Sequence, residues 1–185
     1  MDDLVRYSIL ATFLQKIEQR WPGRYFGMTI VQKLMYFFTA TGHAALPDYA
    51  YKFYHYGPYC DQLDTDLRVL NAAGVIAIEA DREGLGFKLS TKNPEVLDLS
   101  LSEEFWASHH GSFEKVCDEL GFQKPQDYEL LATIHYVYQA LYRHEGQDAE
   151  ELMSLVGSLK PKFDKERIQN AYNLLVNKAL LEATY

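Results

Sequence analysis

Cysteine is scarce in this chain: Cys60 and Cys117 are the only two among 185 residues, and they form no CxxC spacing. Two isolated cysteines cannot supply the disulfide framework that holds small secreted domains together. Basic residues are also short, with 18 Lys and Arg against 26 Asp and Glu, for a net charge of −8. A general grip on nucleic acid needs clustered cations to displace phosphate counterions, so nucleic acid is disfavoured as a partner on total charge. No apolar run reaches the ~18 residues of a membrane span, and Met1-Asp2-Asp3 is acidic where a signal peptide is basic. A cytoplasmic protein without membrane contact is the expectation. The phosphate-loop, nucleophile-elbow and HExxH motifs are absent, and Gly84-Leu85-Gly86 lacks the third glycine of a dinucleotide fingerprint. No catalytic residue, metal ligand or cofactor is therefore assigned.

Aromatic residues, in contrast, are plentiful, with 14 Tyr, 10 Phe and 2 Trp. Helical apolar spacing marks residues 4–20 through Leu4, Leu10, Phe13, Leu14 and Ile17. Thr29 to Gln32 reads as a capping box for a second helix ending near Gly42, with Pro47 opening a turn. Tyr49 to Tyr56 reads as one short strand, broken by Gly57-Pro58. A third helix follows over 61–73, then two strands at 75–79 and 87–90 joined by a polar loop. Ser100 to Glu103 reads as a further capping box, opening a helix that Gly111 would kink or split. Helices after Pro125, after Asp148 and from Asp164 complete the chain. The fold class is mainly α with a small β-hairpin (α+β): a winged-helix-like module over 1–92, and a helical bundle over 100–185 packed against it. Residues 68–76 and 173–181 echo each other, as in a duplicated module whose second hairpin is cut short at Tyr185.

Two constellations invite chemistry. Asp61, Asp64 and Asp66 crowd one helix, where carboxylates serve either acid–base catalysis or the helix dipole. They also leave Arg68 as the only base on what would be a recognition helix. His43, His55 and Cys60, or His109, His110 and Cys117, offer metal-ligand types without a recognised spacing; His109 suits a hydrogen-bonded place in the core. Densest of all is the stretch 49–59, with six aromatic rings in eleven residues. Strand alternation sends Tyr49, Tyr51 and Phe53 to one face and Tyr54 and Tyr56 to the other. Tyrosine suits half-exposed interfaces, so Tyr54, Tyr56 and Tyr59 are the candidate partner-binding residues.

The blocks Lys33-Leu34-Met35-Tyr36-Phe37, Phe53-Tyr54-His55-Tyr56-Gly57-Pro58-Tyr59, and Asp66-Leu67 followed by Leu70, Gly74, Val75 and Ile76, resemble the YwgA-like bacterial proteins. More distantly they resemble the SocA-like (Panacea) domain of antitoxins and phage-encoded proteins. The resemblance covers about residues 5–90, through Lys33, Tyr36, Tyr56, Gly57, Pro58, Tyr59, Asp66 and Leu67. Cys60 departs from it, standing where serine is common, and a thiol is a poorer helix cap than a hydroxyl. The resemblance implies a non-enzymatic protein-interaction module, antitoxin-like or a regulatory adaptor, whose partner is another protein such as a toxin or a protease system. A winged-helix DNA-binding regulator and an enzyme using the Asp-rich helix stand as alternatives.

Overall fold

The computed structural model describes residues 1–41, 44, 46, 48–80, 86–142 and 148–181. The polar loop at 81–85, Gly42, His43, Pro47 and His144-Glu145 lie outside them. The first helix, α1 (Asp3–Arg20), starts where Asp2 Oδ1 accepts from the Leu4 amide at 2.9 Å. Ile9, Leu10, Phe13, Leu14 and Ile17 form its buried stripe, while Leu4 stays exposed. Helix α2 (Met28–Thr41) is different in kind, because every residue from Ile30 to Phe38 is buried. A helix covered on all sides is the centre of its domain, so any polar side chain on it must find a partner inside.

A hairpin of β1 (Lys52–Tyr54) and β2 (Gly57–Tyr59) follows, then α3 (Asp61–Ala72) and a second antiparallel hairpin, β3 (Ile76–Ala80) with β4 (Phe87–Thr91). Two short 3-10 turns lead to α4 (Glu103–Leu120), α5 (Pro125–Val137) with a π-helical extension over Tyr138–Tyr142, α6 (Ala149–Leu159) and α7 (Lys165–Asn177). The protein is thus mainly helical with two small antiparallel hairpins. Rings from both halves share the core: Phe13 of α1 and Phe38 of α2 pack with Trp106 and Phe113 of α4, the Phe38 and Trp106 rings being parallel at 5.5 Å. Buried edge-to-face and stacked pairs of this kind add to the area term that holds the layers together.

Several expectations are corrected. The single strand at 49–56 is a hairpin: Tyr54 pairs with Gly57, so His55 and Tyr56 form the turn and Gly57-Pro58-Tyr59 is the returning strand. The turn residues keep negative φ, and the left-handed position falls on Gly57, at φ +85°. Pro58 therefore sits in a strand and not at a helix entry. Thr29 does not cap α2, which begins at Met28; Gln32 turns inward to Cys60 instead. Ser100 does not cap α4, which begins at Glu103; its hydroxyl donates to Asp98 Oδ1 at 2.5 Å. Gly111 leaves α4 unbroken.

The echo between 68–76 and 173–181 has a local basis. Both helices end in a left-handed residue, Gly74 at φ +74° and Ala179 at φ 51°, after which the Val75 and Leu180 amides reach back to the Leu70 and Leu175 carbonyls. That six-to-one bond is the Schellman end, which favours glycine. Ala179→Gly should therefore raise the urea midpoint, by roughly 0.5–1 kcal/mol of stability. Gly57 predicts the opposite. A Cβ there would stand 2.7 Å from Thr133 Oγ1 and 3.4 Å from the Glu129 carbonyl oxygen on α5. Gly57→Ala combines that clash with left-handed strain and should cost about 2–4 kcal/mol in the same measurement.

Candidate functional site

The hairpin β1–β2 is attached to the core by polar side chains of α2. Gln32 clamps the backbone of Cys60, its Nε2 donating to the carbonyl and its Oε1 accepting from the amide, both at 3.0 Å. Lys33, 1% exposed, donates from Nζ to the Pro58 carbonyl at 2.7 Å. Tyr36 places its hydroxyl 2.7 Å from His135 Nδ1 on α5. Burial raises the Tyr36 pKa well above the ordinary range, so the hydroxyl keeps its proton.

A second set of contacts comes from the turn between α6 and α7. Lys160 donates to Glu129 Oε1 at 3.0 Å and to the His55 carbonyl of the hairpin turn. Lys162 donates to Glu129 Oε2 at 2.7 Å and lies over the rings of Tyr56 and Phe163, at 5.4 and 5.1 Å. Two ammonium groups thus hold one buried carboxylate, and Lys33 lies within the field of both charges. Lys33 shows the consequence: burial brings its pKa down to about 8, with Lys160 pushing the same way and Glu129 opposing.

Above this base the hairpin presents rings to solvent. Tyr54 and Tyr56 are 49% and 59% exposed, Phe53 is 37% exposed, and Tyr59 is half-buried. Tyr54 packs between His55 and Tyr59, with centroids 4.5 and 5.6 Å away. Tyr49 and Tyr51 turn inward. The Tyr49 hydroxyl donates to Asp66 Oδ2 at 3.0 Å, and the Tyr51 hydroxyl is buried. Of the predicted partner residues, Tyr54 and Tyr59 pack together and Tyr56 stands at the hairpin turn beside Lys162, while the motif residues Lys33, Tyr36, Gly57, Pro58, Asp66 and Leu67 are buried.

The three carboxylates of the Asp-rich helix all have partners. Asp66 is fully buried and receives four donors: Arg6 Nε at 2.7 Å, Arg6 Nη2 at 3.1 Å, Tyr49 and the Gln62 amide. Asp64 pairs with Arg68 at 2.8 Å and Asp61 with Lys52 at 2.5 Å. Among the described residues no group of histidine, cysteine and carboxylate side chains is placed to hold a metal. His109 is half-buried, hydrogen-bonded to the Phe105 carbonyl at 2.8 Å. Both cysteines are free and buried, and burial raises both thiol pKa values, Cys117 to about 12, so neither is a ready thiolate. Cys60 does cap α3, its Sγ accepting from the Leu63 amide at 3.4 Å. No described helix is long and apolar enough to cross a membrane.

Two clefts open near these elements. One of about 400 Å³ is lined by Tyr36, Thr39, Tyr49 and Tyr51 among others. A larger one, about 880 Å³, lies between α6 and α7, with Glu150 and Asp164 as its carboxylates, Ser154, Ser158 and Gln169 as polar groups, and Phe163 in its wall. Sequence reasoning overlooked Glu129, Lys160, Lys162 and this cleft. The signal was present in Lys160-Pro161-Lys162-Phe163, a basic and aromatic run in an acidic chain, and in Glu129 within the apolar face of α5.

No protein-family model matches the chain. It is 30% identical over 167 residues to a protein of Thermus aquaticus named DNA ADP-ribosyl glycohydrolase, a match covering 86% of this chain. The chain spans 43% of that relative's length. This finding overturns the expectation of a non-enzymatic, antitoxin-like interaction module, since the relative is named as an enzyme.

The buried ammonium yields a measurable consequence. A lysine that loses its proton near pH 8 when folded, but near 10.5 when unfolded, binds fewer protons in the native state between those values. Its contribution to stability is therefore unfavourable and constant below about 8, and eases as pH rises from about 8 to 10.5. An NMR titration of Lys33 Cε should show a midpoint near 8, moving up in Lys160→Gln and down in Glu129→Gln. A midpoint near 10.5 would mean that water reaches the ammonium.

Proposed function

We propose that the chain acts in the hydrolysis of ADP-ribosyl groups from DNA, with the α6–α7 cleft receiving the ADP-ribosyl group. The observation that carries this reading is the 30% identity to the Thermus aquaticus glycohydrolase. The cleft supports it in size and chemistry. Its volume of about 880 Å³ falls within the ~300–1,000 Å³ usual for small-molecule sites. Hydrolysis of a glycosidic bond proceeds through an oxocarbenium-like transition state, which a carboxylate stabilises while a second carboxylate takes a proton from the attacking water. Asp164 already uses Oδ1 to cap α7, accepting from the Arg167 amide at 2.7 Å. Glu150, exposed in the first turn of α6, is the carboxylate left to activate water. Ser154, Ser158 and Gln169 supply hydrogen bonds for ribose hydroxyls, and Phe163 offers a face for adenine.

The scaffold beneath belongs to the same proposal. The order of α2, α3 and the β3–β4 hairpin supports a winged-helix-like arrangement of the first half, with the later helices as a bundle against it. The resemblance to YwgA-like proteins supports that arrangement over about residues 5–90.

The test is incubation of the purified chain with an ADP-ribosylated oligonucleotide, beside titration of free ADP-ribose. ADP-ribose should bind and be released, and Glu150→Gln should lower the rate by about 10²–10⁴ with binding retained. Neither binding nor release would overturn the reading. Binding without release would leave the cleft as the ADP-ribose site and place the hydrolytic groups in the part of such a glycohydrolase that this chain does not span.

A further inference from the structure

We infer that the tip of the β1–β2 hairpin is a platform for single-stranded DNA, on which bases stack against Tyr54 and Tyr56 and a phosphate meets Lys162. Three observations meet at this place. The first is exposed aromatic surface on a rigid support. Phe53, Tyr54 and Tyr56 are large rings open to solvent, while the returning strand paired with β1 is fixed from below by Lys33, by Gln32 through Cys60, and by the close approach of Gly57 to α5. Rings held this way lose little freedom when a base stacks on them, which is how non-sequence-specific single-strand sites gain affinity.

The second observation is local charge. Lys160 and Lys162 both pair with Glu129, leaving one positive charge in excess at that carboxylate in a protein whose total is −8. Lys52, at the start of the hairpin, is balanced by Asp61 and does not change that sum. Lys160 is sealed in, but Lys162 is 46% exposed, beside the Tyr56 ring. The total charge, which argues against a duplex-binding face, therefore says little about this point.

The third is continuity. Phe163 lines the α6–α7 cleft and Lys162 lies over both its ring and that of Tyr56, so the hairpin turn and the cleft wall share one cation. The choice of DNA over an acidic protein rests on the function proposed above, whereas the platform rests on its own geometry. Stacking requires bases with free faces, so single strands are expected to bind and duplexes to bind less well.

The test is fluorescence anisotropy of labelled, unmodified oligo(dT) with the full chain, run beside the hydrolysis assay. Saturable binding should weaken as salt rises from about 50 to 200 mM, the logarithmic slope being near −0.7 for each phosphate engaged. Tyr54→Ala and Tyr56→Ala should each weaken binding at least about fivefold, with unchanged thermal midpoints. Lys162→Gln should weaken binding and flatten the salt dependence. A matched duplex should bind less tightly. Absent binding at low salt, or binding indifferent to all three substitutions, would overturn the platform. So would an oligoglutamate peptide that competes with equal affinity, since it would assign the surface to acidic protein. Hydrolysis without oligo(dT) binding would remove the platform alone, and oligo(dT) binding without hydrolysis would remove the earlier reading alone.

Discussion

A single buried ammonium–carbonyl contact organises one end of this protein. Lys33 lies on a helix with no solvent-facing side over most of its length, so its Nζ has no route to water and takes the Pro58 carbonyl. With the Gln32 clamp on Cys60 one residue earlier, this contact fixes where the hairpin returns and where α3 begins. The hairpin's other side is set by Gly57, whose missing side chain lets the strand lie against α5. Burying an unpaired polar group costs several kcal/mol, so these contacts specify position even where their net stabilisation is small.

The same logic explains the charges. Asp66 and Glu129 are buried carboxylates at opposite edges of the hairpin, and each is surrounded by donors. Around Asp66 the arrangement is closed, with Arg6 neutralising it and Tyr49 and Gln62 filling the remaining positions; the pair raises the Arg6 pKa further above its normal range, chiefly through the hydrogen bond to Asp66. Around Glu129 it is open, because one carboxylate serves more cations than it can balance. A closed network fixes structure, whereas an open one next to exposed rings offers a place for an anion.

Much of the helical plan is legible in the sequence. Asp2, Asp148 and Asp164 act as N-caps, Pro125 opens α5, and the apolar spacing of α1 and α3 matches their buried faces. The failures share a cause. Gln32 and Ser100 are residue types found in capping boxes, yet their side chains go elsewhere, and Gln32 reaches a residue 28 positions away. The aromatic stretch was read as one strand because alternation extends through Tyr56, and the left-handed backbone at Gly57 that turns the chain back has no counterpart in periodicity. The surface tyrosines were legible as such; the lysines beneath them were not, because they come from a turn more than a hundred residues later.

Native-state hydrogen exchange tests the central claim that the hairpin is fixed from α2. The Cys60 amide, which donates to Gln32 Oε1, should exchange only in openings approaching global unfolding. In Gln32→Leu, protection at Cys60 should collapse while amides of α1 keep theirs relative to the variant's own global stability. Rapid exchange at Cys60 in the unaltered protein would contradict the account, for it would mean that the hairpin moves freely over α2.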